Sequence, residues 1–112
     1  MHKGKKILRK FQRTANLLLI LDWASRAPFY GTEFMDDAAK RGHKISPGTL
    51  YPWLNILVEE GTLSQEEHVV DGKVRKYYSL TSAGLEELGE IKKELEDLNN
   101  ALLSKNSSME PE

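Results

Sequence analysis

Three helical stretches, a hairpin and one long closing helix, in that order, predict a mostly α fold with a small β-hairpin. Leu50, Leu54, Leu57 and Val58 recur at i, i+4, i+7 and i+8, the stripe of an amphipathic helix. Asp71-Gly72 is a strong type I′ turn signal between two strand-like segments. Leu88, Ile91, Leu95, Leu98 and Leu102 are spaced 3, 4, 3, 4, the seam of a coiled coil. At 112 residues the chain makes one domain with a modest core.

Residues 1–4 are expected to be disordered. Residues 5–26 read as the first helix, with Ile7, Phe11, Ala15, Leu18 and Asp22 on one line. Between 17 and 24 nearly every position is apolar, and a helix apolar all round must be covered on both sides. That implies a partner surface. "APFYG" breaks the helix, because the residue before Pro28 is pushed out of the α region. A shorter helix over residues 31–40 buries Phe34, Met35 and Ala38, and Gly42 is placed as its left-handed cap.

The third helix, 46–60, opens on "SPGTLYPWL" and stops at Gly61. Ser46 suits the N-cap and Pro47 the first helical position, where a missing N–H costs nothing. Pro52 then forfeits a helix bond, unless regular helix begins at Thr49 and Pro52 falls in its first turn. In both cases the terminus offers unpaired amides and a glycine, the features of an anion-binding helix end.

The hairpin register follows from its turn. Val69 pairs with Val74, Glu67 with Lys76, Gln65 with Tyr78 and Leu63 with Leu80 on one face. His68 pairs with Arg75, Glu66 with Tyr77 and Ser64 with Ser79 on the other. Thr81 caps the last helix, 82–103, which either packs on its own domain or meets a second copy; residues 104–112 are expected to be a disordered tail. Together 5–81 make a winged helix-turn-helix and 82–103 a dimerisation helix. In helix-turn-helix proteins the second helix of the motif enters the major groove by its N-terminal end.

Composition narrows the functional classes. The net charge is −1, but residues 1–31 hold seven cations against Asp22 alone, while 82–112 hold three against eight carboxylates. A basic face thus coexists with an acidic average. With no cysteine, thiol catalysis and thiolate metal sites are excluded. The longest apolar run, "LLLIL", is far short of the roughly 20 residues that span a bilayer, and no cleavable signal is visible. A cytoplasmic location is expected. No nucleophile is paired with a base, and His2, His43 and His68 are scattered, so no enzyme activity and no cofactor are implied. "EEH" at 66–68 is a poor metal site on an exposed strand, and no metal is expected.

"SPGTLYPWLNILVEEG" followed by "DGKVRKYYSLTSAG" resembles the PadR family of transcriptional regulators, and "LLLILDWASRAPFYGTEF" is similar to its first two helices. The single closing helix looks like the compact subgroup. The resemblance implies a homodimeric repressor on a palindromic operator, released in many members by a small aromatic or hydrophobic compound. By position, Ser46, Gly48, Thr49, Tyr51, Pro52 and Asn55 lie where the family's recognition helix meets DNA, and Lys73, Arg75 and Lys76 lie on its wing. Two positions depart from the pattern: Thr32 stands where a tyrosine is usual, and Ile56 where Arg or another polar residue is frequent.

Several roles have two readings. Tyr51 either packs beside Leu50 and Leu54 or offers its hydroxyl to a phosphate. Thr49 and Asn55 are the base-contact candidates, since Asn can read adenine with two hydrogen bonds. Lys5, Lys6, Arg9 and Lys10 form either a solvated face or a phosphate contact. Phe11, Leu19 and Trp23 either line an effector pocket against the partner's last helix or form plain dimer core. A winged-helix protein-interaction module that ignores DNA is the alternative to a DNA-binding regulator, motivated by Ile56, by the wing carboxylates Glu66, Glu67 and Asp71 that cancel its cations, and by the acidic last helix.

Overall fold

The computed structural model describes residues 3–104. A 3-10 turn over Lys3–Lys5 leads into α1 (Lys6–Ala24), followed by α2 (Gly31–Lys40), α3 (Pro47–Glu59), β1 (Leu63–Val70), β2 (Lys73–Leu80) and α4 (Ser82–Leu103). The expected disorder at 1–4 falls partly on this turn. That expected of the tail lies, beyond Ser104, outside the described residues.

Helix α1 ends at Ala24, two residues before the sequence reading placed its end, because Ser25 turns back on it. The Ser25 N–H donates to the Leu21 carbonyl at 3.0 Å and its hydroxyl to the Asp22 carbonyl at 2.6 Å. Its apolar stretch contributes Ile20, Leu21 and Ala24 to the core, while Leu17, Leu19 and Trp23 pack at the core's margin. Helix α2 closes as predicted. Gly42 is left-handed at φ +90°, and the His43 N–H reaches the Ala38 carbonyl at 2.8 Å. Met35 is only half-buried, unlike Phe34 and Ala38.

The start of α3 resolves the question of Pro52. Ser46 is the N-cap, accepting from the Thr49 N–H, with Pro47 at the first helical position. Pro52 therefore lies inside the helix, and the Gly48 carbonyl has no i+4 amide to accept from. Leu50, Leu54 and Leu57 are buried in the core, where α3 packs on α2 and β1.

The two strands pair antiparallel in the register read from the turn, from Leu63 opposite Leu80 to Val70 opposite Lys73. Asp71 and Gly72 both have positive φ, 53° and 77°, as a type I′ turn requires. One feature was not visible in the sequence: Phe29 joins β2 as a one-residue third strand, bridging antiparallel to Tyr78.

Thr81 starts α4. Its hydroxyl oxygen accepts from the Gly84 N–H at 3.0 Å, and the hydroxyl lies 2.6 Å from the Gly61 carbonyl as donor. That seats Gly84 directly against the Thr62 carbonyl, leaving no room for a Cβ. Leu88, one turn on, is 4% exposed and belongs to the core of its own domain. This corrects its assignment to the dimer seam: the residue is already covered within one chain. Beyond Lys92 the helix extends past the buried core. The radius of gyration is 17.0 Å, against roughly 13 Å for a compact chain of this length.

Asp22 straps α4 to α1. Its carboxylate meets Lys92 Nζ at 3.0 Å and Arg26 at 2.9 Å. Partial burial pushes its pKa up, but the hydrogen bonds and charges of Lys92 and Arg26 outweigh that and hold it below the ordinary carboxylate value. Stability from a depressed carboxylate is present above its unfolded pKa and lost as pH falls through the folded one. Acid unfolding below about pH 4 should thus be less pH-dependent in Asp22→Asn than in the wild type, as followed by circular dichroism. Gly84→Ala should destabilise the domain by about 1–3 kcal/mol in urea denaturation, because its Cβ meets rigid backbone.

Candidate nucleic-acid interface

Three elements meet at an open cleft of about 440 Å³: the start of α2, the exposed side of α3, and β2. Tyr51 and Asn55 line it from α3, Arg75 and Lys76 from β2, and Tyr30, Gly31 and Thr32 from the start of α2. Of the sequence-predicted set, four residues are thus brought together. Ser46, Gly48, Thr49 and Pro52 lie at the tip of α3, outside this cleft, and Lys73 lies beside the hairpin turn.

Local chemistry fixes each position. The Ser46 hydroxyl is engaged as the cap of α3, accepting from the Thr49 N–H at 3.3 Å and lying 3.3 Å from the Thr49 hydroxyl. Gly48 is exposed, and a Cβ there would meet only the Ser46 hydroxyl, at 3.9 Å, so the tip can be approached closely by another backbone. Tyr51, 37% exposed, lays its ring and hydroxyl over Gly31, where any Cβ would collide with them. Tyr51 thus packs across the start of α2 and stays partly exposed.

The charges matter most. Among the described residues the ion pairs are Arg26–Asp22, Arg41–Asp37, His68–Glu66 and Lys92–Asp22. Lys73, Arg75 and Lys76 are in none of them. Glu66, which opposes the wing cations in count, is turned to His68 at 3.1 Å. The Arg75 guanidinium instead stacks 4.4 Å over the Tyr30 ring. Behind the cleft the Tyr78 phenol is pushed up in pKa by burial and by neighbouring Tyr51, and stays protonated.

Tyr30 and Gly31 are site residues that sequence reasoning missed. They come into position through the Phe29–Tyr78 bridge, which no local pattern announces. Thr32 and Ile56, noted as departures, are both exposed, Thr32 in the cleft and Ile56 on α3.

A second surface lies between α1 and α4 of the same chain. Phe11 and Leu19 face Ile91, Leu95 and Leu98 across an apolar groove of about 710 Å³. A neighbouring groove of about 940 Å³ adds Leu102 and Leu103. Trp23 does not line either. Its ring meets Phe34 edge-on at 6.2 Å and carries the Arg41 guanidinium at 4.9 Å, so it serves the packing of α1 on α2. Within one chain, then, Phe11 and Leu19 face α4, and Trp23 lies away from both grooves. Glu66 and His68 do meet, but no group of three metal-ligating side chains gathers among the described residues. No helix among them is long and apolar enough to cross a membrane.

A family profile described as "Transcriptional regulator PadR-like family" matches residues 20–90. The chain is 40% identical over 96 residues to the transcriptional regulator Rv3488 of Mycobacterium tuberculosis, covering 86% of this chain and 90% of that protein. It is similar to a crystal structure of a PadR-family transcriptional regulator from Eggerthella lenta, with TM-score 0.78 and 30% identity over 92% of this chain and 94% of the other. The fold is also that of Bacillus subtilis PadR, solved in complex with operator DNA, with TM-score 0.62 and 21% identity over 68% of this chain and 45% of the other. These relatives are named as regulators, not as enzymes.

Proposed function

The chain belongs to the PadR-like family of transcriptional regulators, and from that premise we propose that it acts as a homodimeric, DNA-binding repressor of a palindromic operator. One observation carries this reading: Arg75 and Lys76, in no ion pair, stand beside Tyr51 and Asn55 in one open cleft. Cations left unpaired by their own protein are the groups that neutralise backbone phosphates and release counterions. In this reading α3 enters the major groove tip-first, with Thr49 and Asn55 toward base edges and Tyr51 toward the backbone. Ser46, Gly48 and Pro52 shape the approaching tip. Lys73, Arg75 and Lys76 follow the adjacent phosphates, and the basic α1 of each copy adds to the field.

The dimer is supported by what α4 leaves uncovered. Leu95 and Leu98 are each 48% exposed and Leu102 more so, on one stripe of a projecting helix. Ile91 stands at its inner end, packed at the core's margin. Such a stripe is stable in water when a second copy covers it. The α1–α4 groove shares Leu95 and Leu98 with that stripe and has Phe11 and Leu19 on its other wall. It suits a small aromatic or hydrophobic effector, held next to the interface, that loosens DNA binding.

The full chain, titrated with duplex DNA from the region upstream of its own gene, should bind with an affinity that falls steeply with salt. The logarithmic slope should be about −0.9 per phosphate neutralised; a flat response overturns the phosphate contacts. Tyr51→Phe should weaken binding while leaving the urea midpoint unchanged. If Asn55→Ala keeps equal selectivity across operator variants, Asn55 reads no base. Leu98→Glu should convert a dimer to a monomer in sedimentation, and an unchanged mass would place the interface elsewhere.

A further inference from the structure

Arg75 differs from the other two wing cations. Lys73 and Lys76 are exposed, whereas Arg75 is half-buried. Its Nε is shielded from solvent and has no hydrogen-bond partner. A buried donor left unpaired is costly, so something else must favour this position. That something is the Tyr30 ring, 4.4 Å from the guanidinium carbon.

Tyr30 is itself held. The antiparallel bridge at Phe29 and Tyr78 lays Tyr30 alongside Tyr77, with Arg75 diagonal to it on the same face. The Tyr30 and Tyr77 rings meet edge-on at 5.4 Å, and Tyr77 meets His68 at 5.1 Å. His68, cross-strand partner of Arg75, engages Glu66 at 3.1 Å. Glu66, the carboxylate on that face of the hairpin, is thus engaged with histidine and makes no ion pair with the guanidinium.

We propose that Tyr30 is a positioning residue for duplex DNA: its ring holds the Arg75 guanidinium as an uncommitted cation at the cleft beside α3. The assignment rests on the DNA-binding reading above and adds a residue that the recognition helix and wing do not contain. A guanidinium stacked by its face keeps its terminal nitrogens for an anion, and a planar fork suits a phosphate better than an ammonium does. Rotamer freedom frozen before binding is not lost on binding.

The test is a double-mutant cycle on the full chain, with anisotropy titration of the upstream duplex at several salt concentrations. Arg75→Gln should make the salt slope shallower by about 0.9, one phosphate contact. Tyr30→Leu should weaken binding about threefold, while Tyr30→Phe, which keeps the π face, binds as the wild type does. In the Arg75→Gln background, Tyr30→Leu should cost nothing further. An equal loss in both backgrounds, or a Tyr30→Phe variant as weak as Tyr30→Leu, overturns the positioning role. A second measurement needs no variant to fold: in the wild type the Arg75 Nε–H proton should be shifted upfield by the Tyr30 ring and keep that shift on DNA. Loss of the shift on binding overturns the proposal. A wild type that binds no duplex overturns the DNA reading itself, whereas one that binds normally with Tyr30→Leu unaffected overturns only Tyr30's role.

Discussion

Two backbone hydrogen bonds decide where the hairpin stands. The Phe29 N–H donates to the Tyr78 carbonyl at 3.1 Å, and the Tyr78 N–H returns the bond to the Phe29 carbonyl at 2.8 Å. A two-stranded hairpin is marginal in water by itself and needs a third strand or a helix to lean on. Here the connection between α1 and α2 supplies that strand, and with it a row of rings. Tyr78 packs on Phe29 at 5.9 Å, Phe29 on Phe34 at 5.7 Å, and Phe34 on Trp23. The row runs from the wing through α2 into α1, so packed aromatic side chains hold the wing against the first two helices.

A second constraint joins the end of α3 to the start of α4. One threonine hydroxyl, that of Thr81, caps α4 and also engages carbonyls at the end of α3. Gly84 pressed on Thr62 then fixes the direction in which α4 leaves the domain, and the Lys92–Asp22 pair continues that direction two turns on. The exposed stripe of α4 is therefore presented at a defined angle from α3 even before anything covers it.

Local patterns with steep physical preferences were legible in the sequence. The Asp71-Gly72 turn and the alternation around it suffice for every pair of the hairpin, because a one-residue slip would reverse both faces. Ser46, Gly42 and Thr81 marked helix ends because capping is a property of a few neighbouring residues. What stayed hidden depends on distant chain. Tyr30 gains its place from a strand that arrives nearly fifty residues later, and nothing near "APFYG" signals it. Leu88 has the same spacing as Leu95 and Leu98, and a 3, 4 repeat does not distinguish a stripe that faces its own core from one that faces a second copy. Trp23 was drawn away from the groove by Phe34 and Arg41, partners that lie on the next helix and its cap.

The carboxylates on the wing have a consequence of another kind. With Phe29 and β2 on its inner side, the little sheet has one long free margin, the outer side of β1, near whose turn end Val69 is exposed together with its β2 partner Val74. Such a margin is a template onto which another chain's strand can add, and apolar residues near the tip make it more adhesive. Glu66 and Glu67 sit at its middle, where two copies laid side by side would bring like charges together. The acidic pair that subtracts from the wing's positive field thus also guards the protein against stacking edge to edge when it is crowded.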